Sequence, residues 1–208
     1  AKMLPQFFEG LKTNGRVRIV KEGDTLCLGQ HTLRFIGAPM VHWPEVLMSY
    51  EEKSGTLFSA DAFGKFGALQ NETDDWACEA RRYYFNICGK YGTQVKNVLK
   101  KATSPRPQAI CPLHGPVLRG AALQQAVSLY ETWSSYEPES EGVLVAYASI
   151  HGGTKKAAEQ LADMLREKGA KKVVLADLTR SDMAEVIEDA FRYPALVVAA
   201  SSYDAGVF

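Results

Sequence analysis

No stretch of this 208-residue chain approaches the roughly eighteen consecutive apolar residues of a membrane span, and no secretory leader pattern is read at its start. The expectation is a cytoplasmic protein without a membrane partner. Neither sign of charge is in excess, since Lys and Arg total 24 and Asp and Glu total 24. No global field therefore favours nucleic acid. Cysteine is sparse. Cys27, Cys78, Cys88 and Cys111 form no C-x-x-C pair and read as reduced, mostly buried thiols. The nucleoside-triphosphate loop G-x-x-x-x-G-K-[ST] is absent, as is the dinucleotide fingerprint G-x-G-x-x-G. There is no internal repeat and no low-complexity segment.

What is present is a chain with 46% hydrophobic and 23% charged residues, enough for one large or two small globular domains. Its most informative stretch runs from Val143 to Lys156. An apolar strand, Val143 to Tyr147, stops at a loop of hydroxyls and glycines, Ser149, Ile150, His151, Gly152, Gly153 and Thr154, and a helical pattern follows at once. Such a turn and the unpaired N–H groups of the first helical turn make an anion site. Ser149, His151 and Thr154 can donate further hydrogen bonds. A single terminal phosphate, as on a flavin mononucleotide, fits better than a triphosphate. An ordinary βα turn without a ligand is the plain alternative.

Before this stretch, residues 3–11 carry apolar positions at helical spacing, ended by Asn14-Gly15. Short strands are expected at Val17–Val20, Thr25–Leu28 and Thr32–Ile36, the last two joined by a Gly29-Gln30-His31 hairpin turn, with His31 in solvent. Two prolines keep residues 37–44 irregular. Leu47–Glu51 and Thr56–Ala60 read as strands around Lys53-Ser54-Gly55. One or two amphipathic helices span Asp74–Ala102, with Trp76, Tyr83, Tyr84, Ile87, Val95 and Leu99 on the buried face. A strand at Ala109–Leu113 and a helix over residues 121–133 follow. Residues 134–141, acidic and broken by Pro138, are the best linker. Beyond it, strand, helix, strand, helix and strand alternate, with strands at Val143–Tyr147, Val173–Leu178 and Ala195–Ala200 and a helix capped by Ser181 or Asp182. This is the start of a doubly wound parallel sheet, and its unbroken apolar strands predict burial on both faces.

A second constellation lies in the first half. His42, Asp61 and His114 each stand at a strand-to-loop junction, where loops can converge on a site held by a rigid sheet. Two imidazoles and a carboxylate suit zinc or iron, and one carboxylate can bridge two ions. Singly, each has a bland reading: a His packed beside Trp and Pro, an Asp capping the turn that follows it.

The motifs P-M-V-H-W-P (39–44), L-F-S-A-D-A-F-G (57–64) and C-P-L-H-G-P-V-L-R (111–119), followed by the flavin-type loop, occur in the order found in the flavodiiron proteins, and the chain resembles that family along nearly its whole length. The resemblance implies an α/β fold: part of a metallo-β-lactamase-like (αββα) domain over residues 1–136, then part of a flavodoxin-like doubly wound sheet over residues 137–208. It implies that His42 and His114 are iron ligands and that Asp61 bridges two non-haem irons. It also implies that Ser149, Ile150, His151, Gly152, Gly153 and Thr154 surround the FMN phosphate. Ser201, Ser202, Tyr203, Asp204, Ala205 and Gly206 match the loop along the isoalloxazine.

The implied activity is reduction of O2 to water or NO to N2O, with electrons passing from an external rubredoxin- or NAD(P)H-reductase-type donor through FMN to the diiron site. A head-to-tail homodimer is implied as well. The family's H-x-E-x-D motif is missing upstream of His42. The chain therefore reads as a central piece of a longer protein, with an incomplete metal site. Gly153 and His151 also depart from the Asn and the Tyr or Thr usual in the flavin loop. The alternatives are a metallo-β-lactamase-type zinc hydrolase fused to a flavodoxin-like partner, and an FMN electron-transfer module without a working metal site.

Overall fold

The computed structural model describes residues 4–13, 15–71 and 75–208. Met3, Asn14 and Asp74, which belong to the expected helix boundaries, lie outside the described residues. The described residues form two sheets that share no strand, plus a two-stranded ribbon near residue 205.

The first sheet contains β1 (Thr25–Cys27), β2 (Thr32–Gly37), β3 (Leu47–Glu51), β4 (Thr56–Phe58), β5 (Ala109–Cys111) and β6 (Leu118–Arg119), in that spatial order. β2 and β3 pair antiparallel, as do β3 and β4, while β4 and β5 are parallel. Consequently β2, β4 and β5 all point the same way, and the loops after them leave one edge of the sheet. Because β4 and β5 are parallel, a long crossover must join them. It carries α2 (Trp76–Ile87) and α3 (Gly92–Thr103), and α4 (Gly120–Ser134) follows β6. α1 (Leu4–Phe7) is a single turn.

The core under this sheet is built from the alternating inward residues of the strands, such as Met48, Leu57 and Ile110, all at 0% exposure, against an aromatic layer from the helices. Tyr84, Tyr130 and Trp133 meet at ring separations of 5.1, 5.3 and 5.4 Å, and Phe63 lies 4.5 Å from Tyr130. Such rings bring large apolar areas and favour tilted or edge contacts.

The second sheet has the order β8-β7-β9, all parallel, from β7 (Val143–Ala148), β8 (Val173–Asp177) and β9 (Ala195–Ala200). α5 (Gly153–Glu167) and α6 (Met183–Arg192) are its crossover helices. Central β7 is buried along almost its full length, as an unbroken apolar strand between two partners should be. A short ribbon of β10 (Ser202–Tyr203) and β11 (Gly206–Val207) turns through Asp204 and Ala205, both at positive φ.

Several expectations are corrected. Val17–Val20 is not a strand: Val17 and Ile19 are 40% and 80% exposed, and these residues join no ladder among those described. β9 is not buried on both faces: among the described residues it pairs with β7 alone, and Leu196 and Val198 are half or more exposed. The thiols are free as expected, but Cys27 and Cys78 are exposed and only Cys88 is buried. His31 is exposed as expected, with its Nδ1 3.1 Å from Glu51. The segment after α4 is no loose linker either, since Glu139 is tied into the core, as described below.

The Tyr130 hydroxyl accepts the Phe63 N–H at 2.7 Å, whereas the Tyr84 hydroxyl is buried and meets no partner among the described residues. Tyr130→Phe leaves a buried amide unpaired and should cost about 1–3 kcal/mol, while Tyr84→Phe should be neutral or slightly stabilising. Urea unfolding midpoints of the two variants at constant m-value check the contrast.

Candidate metal and anion sites

The loop after β2 is stitched by Ala38 N–H to the Val46 carbonyl (2.9 Å) and Met40 N–H to the Trp43 carbonyl (2.8 Å), with Val41 buried beneath, so His42 is presented on a fixed arch. After β4 the chain makes a tight turn. Ser59 Oγ donates to the Ala62 carbonyl at 2.7 Å, and Ala60 and Phe63 take positive φ. Leu113 N–H donates to the Ala60 carbonyl, which locks the loop after β5 to the loop after β4. Gly64 is required at the crossing of these loops. A Cβ there would lie 2.9 Å from the Asp61 carbonyl and 3.1 Å from that of His114.

These three loops bring the expected residues together. His42 Nε2 lies 3.3 Å from Asp61 Oδ2, and His114 Nε2 lies 3.3 Å from Asp61 Oδ1. Each carboxylate oxygen therefore faces a different imidazole. Among the described residues no three His, Cys, Asp or Glu side chains are grouped to hold a single metal ion. The set suits a carboxylate shared between two ions with an imidazole on each side, and not one tetrahedral ion. It fits one edge of a dinuclear centre and supplies too few donors to close it.

The trio opens into a cleft of about 670 Å³ whose walls include Trp43, Lys65, Phe66, Tyr83 and Leu113. Tyr83 packs its ring 5.9 Å from that of His114 and 5.2 Å from that of Phe66. Burial, reinforced by the Asp61 charge, holds the Tyr83 phenol well above its ordinary value. Behind the His42 end, burial and then Asp61 push the Cys88 thiol up to about 12. Both groups are neutral near pH 7, so they shape the cleft without competing for its charge. By periodicity Tyr83 belongs to a core-facing helix stripe, and Cys88 is one more buried thiol. Helical periodicity locates a buried face but not what lies across from it.

The loops 149–154 and 201–206 lie beyond the ends of β7 and β9. α5 is preceded by Gly152 at φ 85 and has no side-chain cap. The loop closes on itself through Gly152 N–H to Ser149 Oγ at 3.1 Å. Ser201, just after β9, ties it down, its Oγ lying 3.4 Å from Ile150 N and 2.9 Å from Thr154 Oγ1. Uncapped first-turn N–H groups beside two hydroxyls form a cradle for an oxyanion. A Cβ on Gly152 or Gly153 would meet nothing within 4 Å, so the space above the turn is open. His151 is exposed. Ser202, Tyr203, Asp204, Ala205 and Gly206 form the exposed ribbon beside this cradle, with Tyr203 66% exposed. Among the described residues no hydrogen bond or ion pair of His42, Asp61 or His114 reaches residues 149–154.

A family model described as ODP family beta lactamase matches residues 2–115. Rubredoxin-oxygen oxidoreductase of Megalodesulfovibrio gigas is 32% identical over 162 residues, which are 74% of this chain and 40% of that protein. Nitric oxide reductase of Moorella thermoacetica is 30% identical over 188 residues, covering 86% of this chain and 46% of that one. Among solved structures, the rubredoxin oxygen:oxidoreductase from Desulfovibrio gigas superposes with a TM-score of 0.87 at 27% identity, over 100% of this chain and 53% of that chain. This chain thus spans less than half the length of these two curated relatives.

Gly152 and Gly153 differ in what they need. Gly152→Ala should cost about 1–2 kcal/mol through its left-handed backbone alone. Gly153→Ala, helical and unobstructed, should be neutral or stabilise by up to about 1 kcal/mol. Thermal unfolding of the two variants reads the difference.

Proposed function

Because the chain belongs to the flavodiiron family, we propose that it is part of an oxidoreductase that reduces O2 to water or NO to N2O, drawing electrons through FMN. The observation that carries this reading is the Asp61 carboxylate presenting one oxygen to His42 and the other to His114. The two sheets are read as two domains, residues 1–136 and 137–208.

His42 and His114 would each hold one iron, with Asp61 between them. A diiron centre, when bound, supplies a place for the diatomic and the electrons to reduce it. The chain's own residues do the positioning. The arch at 38–46 and the turn at 59–64 fix the two ends of the donor set, and Gly64 lets their backbones cross. Tyr83 stays protonated in the cleft wall and Cys88 behind it, and Trp43 and Phe66 add apolar wall to the cleft. In the second domain Ser149, Thr154 and Ser201 with the α5 N-terminus would hold the FMN phosphate. The loops 149–154 and 201–206 would flank the flavin. Exposed Trp43 and Leu113, at 54% and 73%, give the cleft an apolar rim suited to cover by a second copy in a head-to-tail dimer. A soluble donor of the rubredoxin or NAD(P)H-reductase type would deliver the electrons. No helix among the described residues is long and apolar enough to cross a membrane, and a cytoplasmic location is proposed with this reading.

A second reading, an FMN electron-transfer module without a working metal centre, is favoured by the lack of a closed donor set among the described residues. Iron and flavin content of the purified chain separates the two. Both cofactors together support the first reading, FMN without iron supports the second, and neither cofactor sinks both. Asp61→Ala should abolish iron binding while flavin absorbance stays, and unchanged iron would refute the bridging role. Thr154→Ala should weaken FMN binding by about 1.5–3 kcal/mol, measured as a dissociation constant by flavin fluorescence.

A further inference from the structure

The seam between the two sheets holds a charge imbalance that the proposed reaction does not use. Arg81, on α2, has a side chain 2% exposed, and two carboxylates converge on it. Glu139, from the segment after α4, takes both its Nε and Nη2 at 2.6 and 2.5 Å. Glu139 also accepts the Trp133 indole N–H at 2.7 Å. Glu188, on α6 and 6% exposed, gets a single contact from Nη1 at 3.2 Å.

One guanidinium neutralises one carboxylate, and the geometry gives that charge to Glu139. The other groups near Glu188 do not make up the deficit. From α2, the Cys78 thiol lies 3.8 Å away and is neutral. On α6 itself Asp189 and Arg192 face each other at 3.8 Å and largely cancel. Tyr193 is buried and uncharged. An ionised Glu188 would therefore sit in the seam as an uncompensated buried charge, a costly arrangement.

We propose that the seam is a proton-operated clasp: Glu188 holds a proton that lets α6 lie against α2, and ionisation of Glu188 loosens the second sheet from the first. The wider contact is built to respond as a unit. Phe85 of α2 stacks on Phe191 of α6 at 4.4 Å, Arg82 binds Asp182 at 2.5 Å, and Asn86 reaches the Ala184 carbonyl at 3.1 Å. Glu139 and Ser140 N–H groups both donate to the Arg192 carbonyl.

The direction of titration agrees. Burial pushes the Glu188 carboxyl up to about 7 against the opposing pull of Arg81. Burial acts on Glu139 too, but the Arg81 and Trp133 hydrogen bonds outweigh it and hold that carboxyl below its ordinary value. A folded-state pKa raised above the unfolded value of 4.5 means that the folded chain keeps a proton the unfolded chain has released. The seam is thus tightest at the acid end of that window, weakens as pH rises toward about 7, and changes no further above it. Neither metal nor flavin enters this inference, so it stands or falls apart from the proposed reaction.

Carboxyl carbon NMR of the full chain, titrated with pH, tests it directly. One glutamate should titrate far above the ordinary range, and its signal should vanish in Glu188→Gln. Protection of α6 amides, corrected for intrinsic exchange, should fall roughly tenfold or more between about pH 5.5 and about pH 8 in the parent chain and stay level in Glu188→Gln. Glu139→Gln frees Arg81 for Glu188 and should move the Glu188 midpoint down. No carboxyl titrating above about pH 6, an unchanged slope in Glu188→Gln, or an unmoved midpoint in Glu139→Gln would each overturn the clasp.

Discussion

A guanidinium with almost no access to water is the constraint around which this chain is arranged. Arg81 cannot be buried without a carboxylate beside it, which Glu139 of the segment after α4 supplies, and the Glu188 carboxyl of α6 meets the same guanidinium on α2. α2 consequently packs on two flanks, while Cys78 and Asn86 stay exposed. Residues 81 and 85 share one stripe of the helix and meet α6, whereas residues 83 and 87 share another and line the His42–Asp61–His114 cleft. The second sheet and the candidate metal site therefore lean on opposite flanks of one twelve-residue helix.

The cleft itself owes its residues to strand direction. His42, Asp61 and His114 are separated by tens of positions in the chain, and they meet because β2, β4 and β5 run the same way, so that their following loops share an edge. Hydrogen bonds between loops then set the distances. The link from Leu113 N–H to the Ala60 carbonyl and the crossing at Gly64 leave little freedom in where Asp61 and His114 point. The anion cradle works differently. Ser149 to Thr154 is continuous in sequence, and only Ser201 comes from elsewhere.

That contrast explains what could be read without coordinates. The cradle was legible because strand end, glycine turn and helix start are consecutive, and each is a local preference. His42, Asp61 and His114 were legible as candidates through the prolines and glycines beside them, but their mutual geometry was not, since strand direction and register are long-range facts. The segment containing Glu139 reads as a solvated linker from composition, and nothing local announces that a buried arginine will claim it. Arg81 likewise looks like one more polar residue on an amphipathic helix. Val17–Val20 has strand composition but joins no ladder among the described residues, because a strand needs a paired neighbour as well as a local preference.

The parallel pairing of β4 with β5 ties these features together. Its crossover, from the end of β4 at Phe58 to the start of β5 at Ala109, contains α2 and α3. His42 and Asp61 belong to hairpin-connected strands that assemble from near neighbours. His114 reaches them only when the crossover has folded back and β5 has docked, a non-local step. The same folding-back presents Arg81 to Glu139 and Glu188. Completing the imidazole–carboxylate–imidazole set and seating α6 are therefore two results of placing one helix, whose Tyr84 packs between them against Phe85, Tyr130 and Trp133.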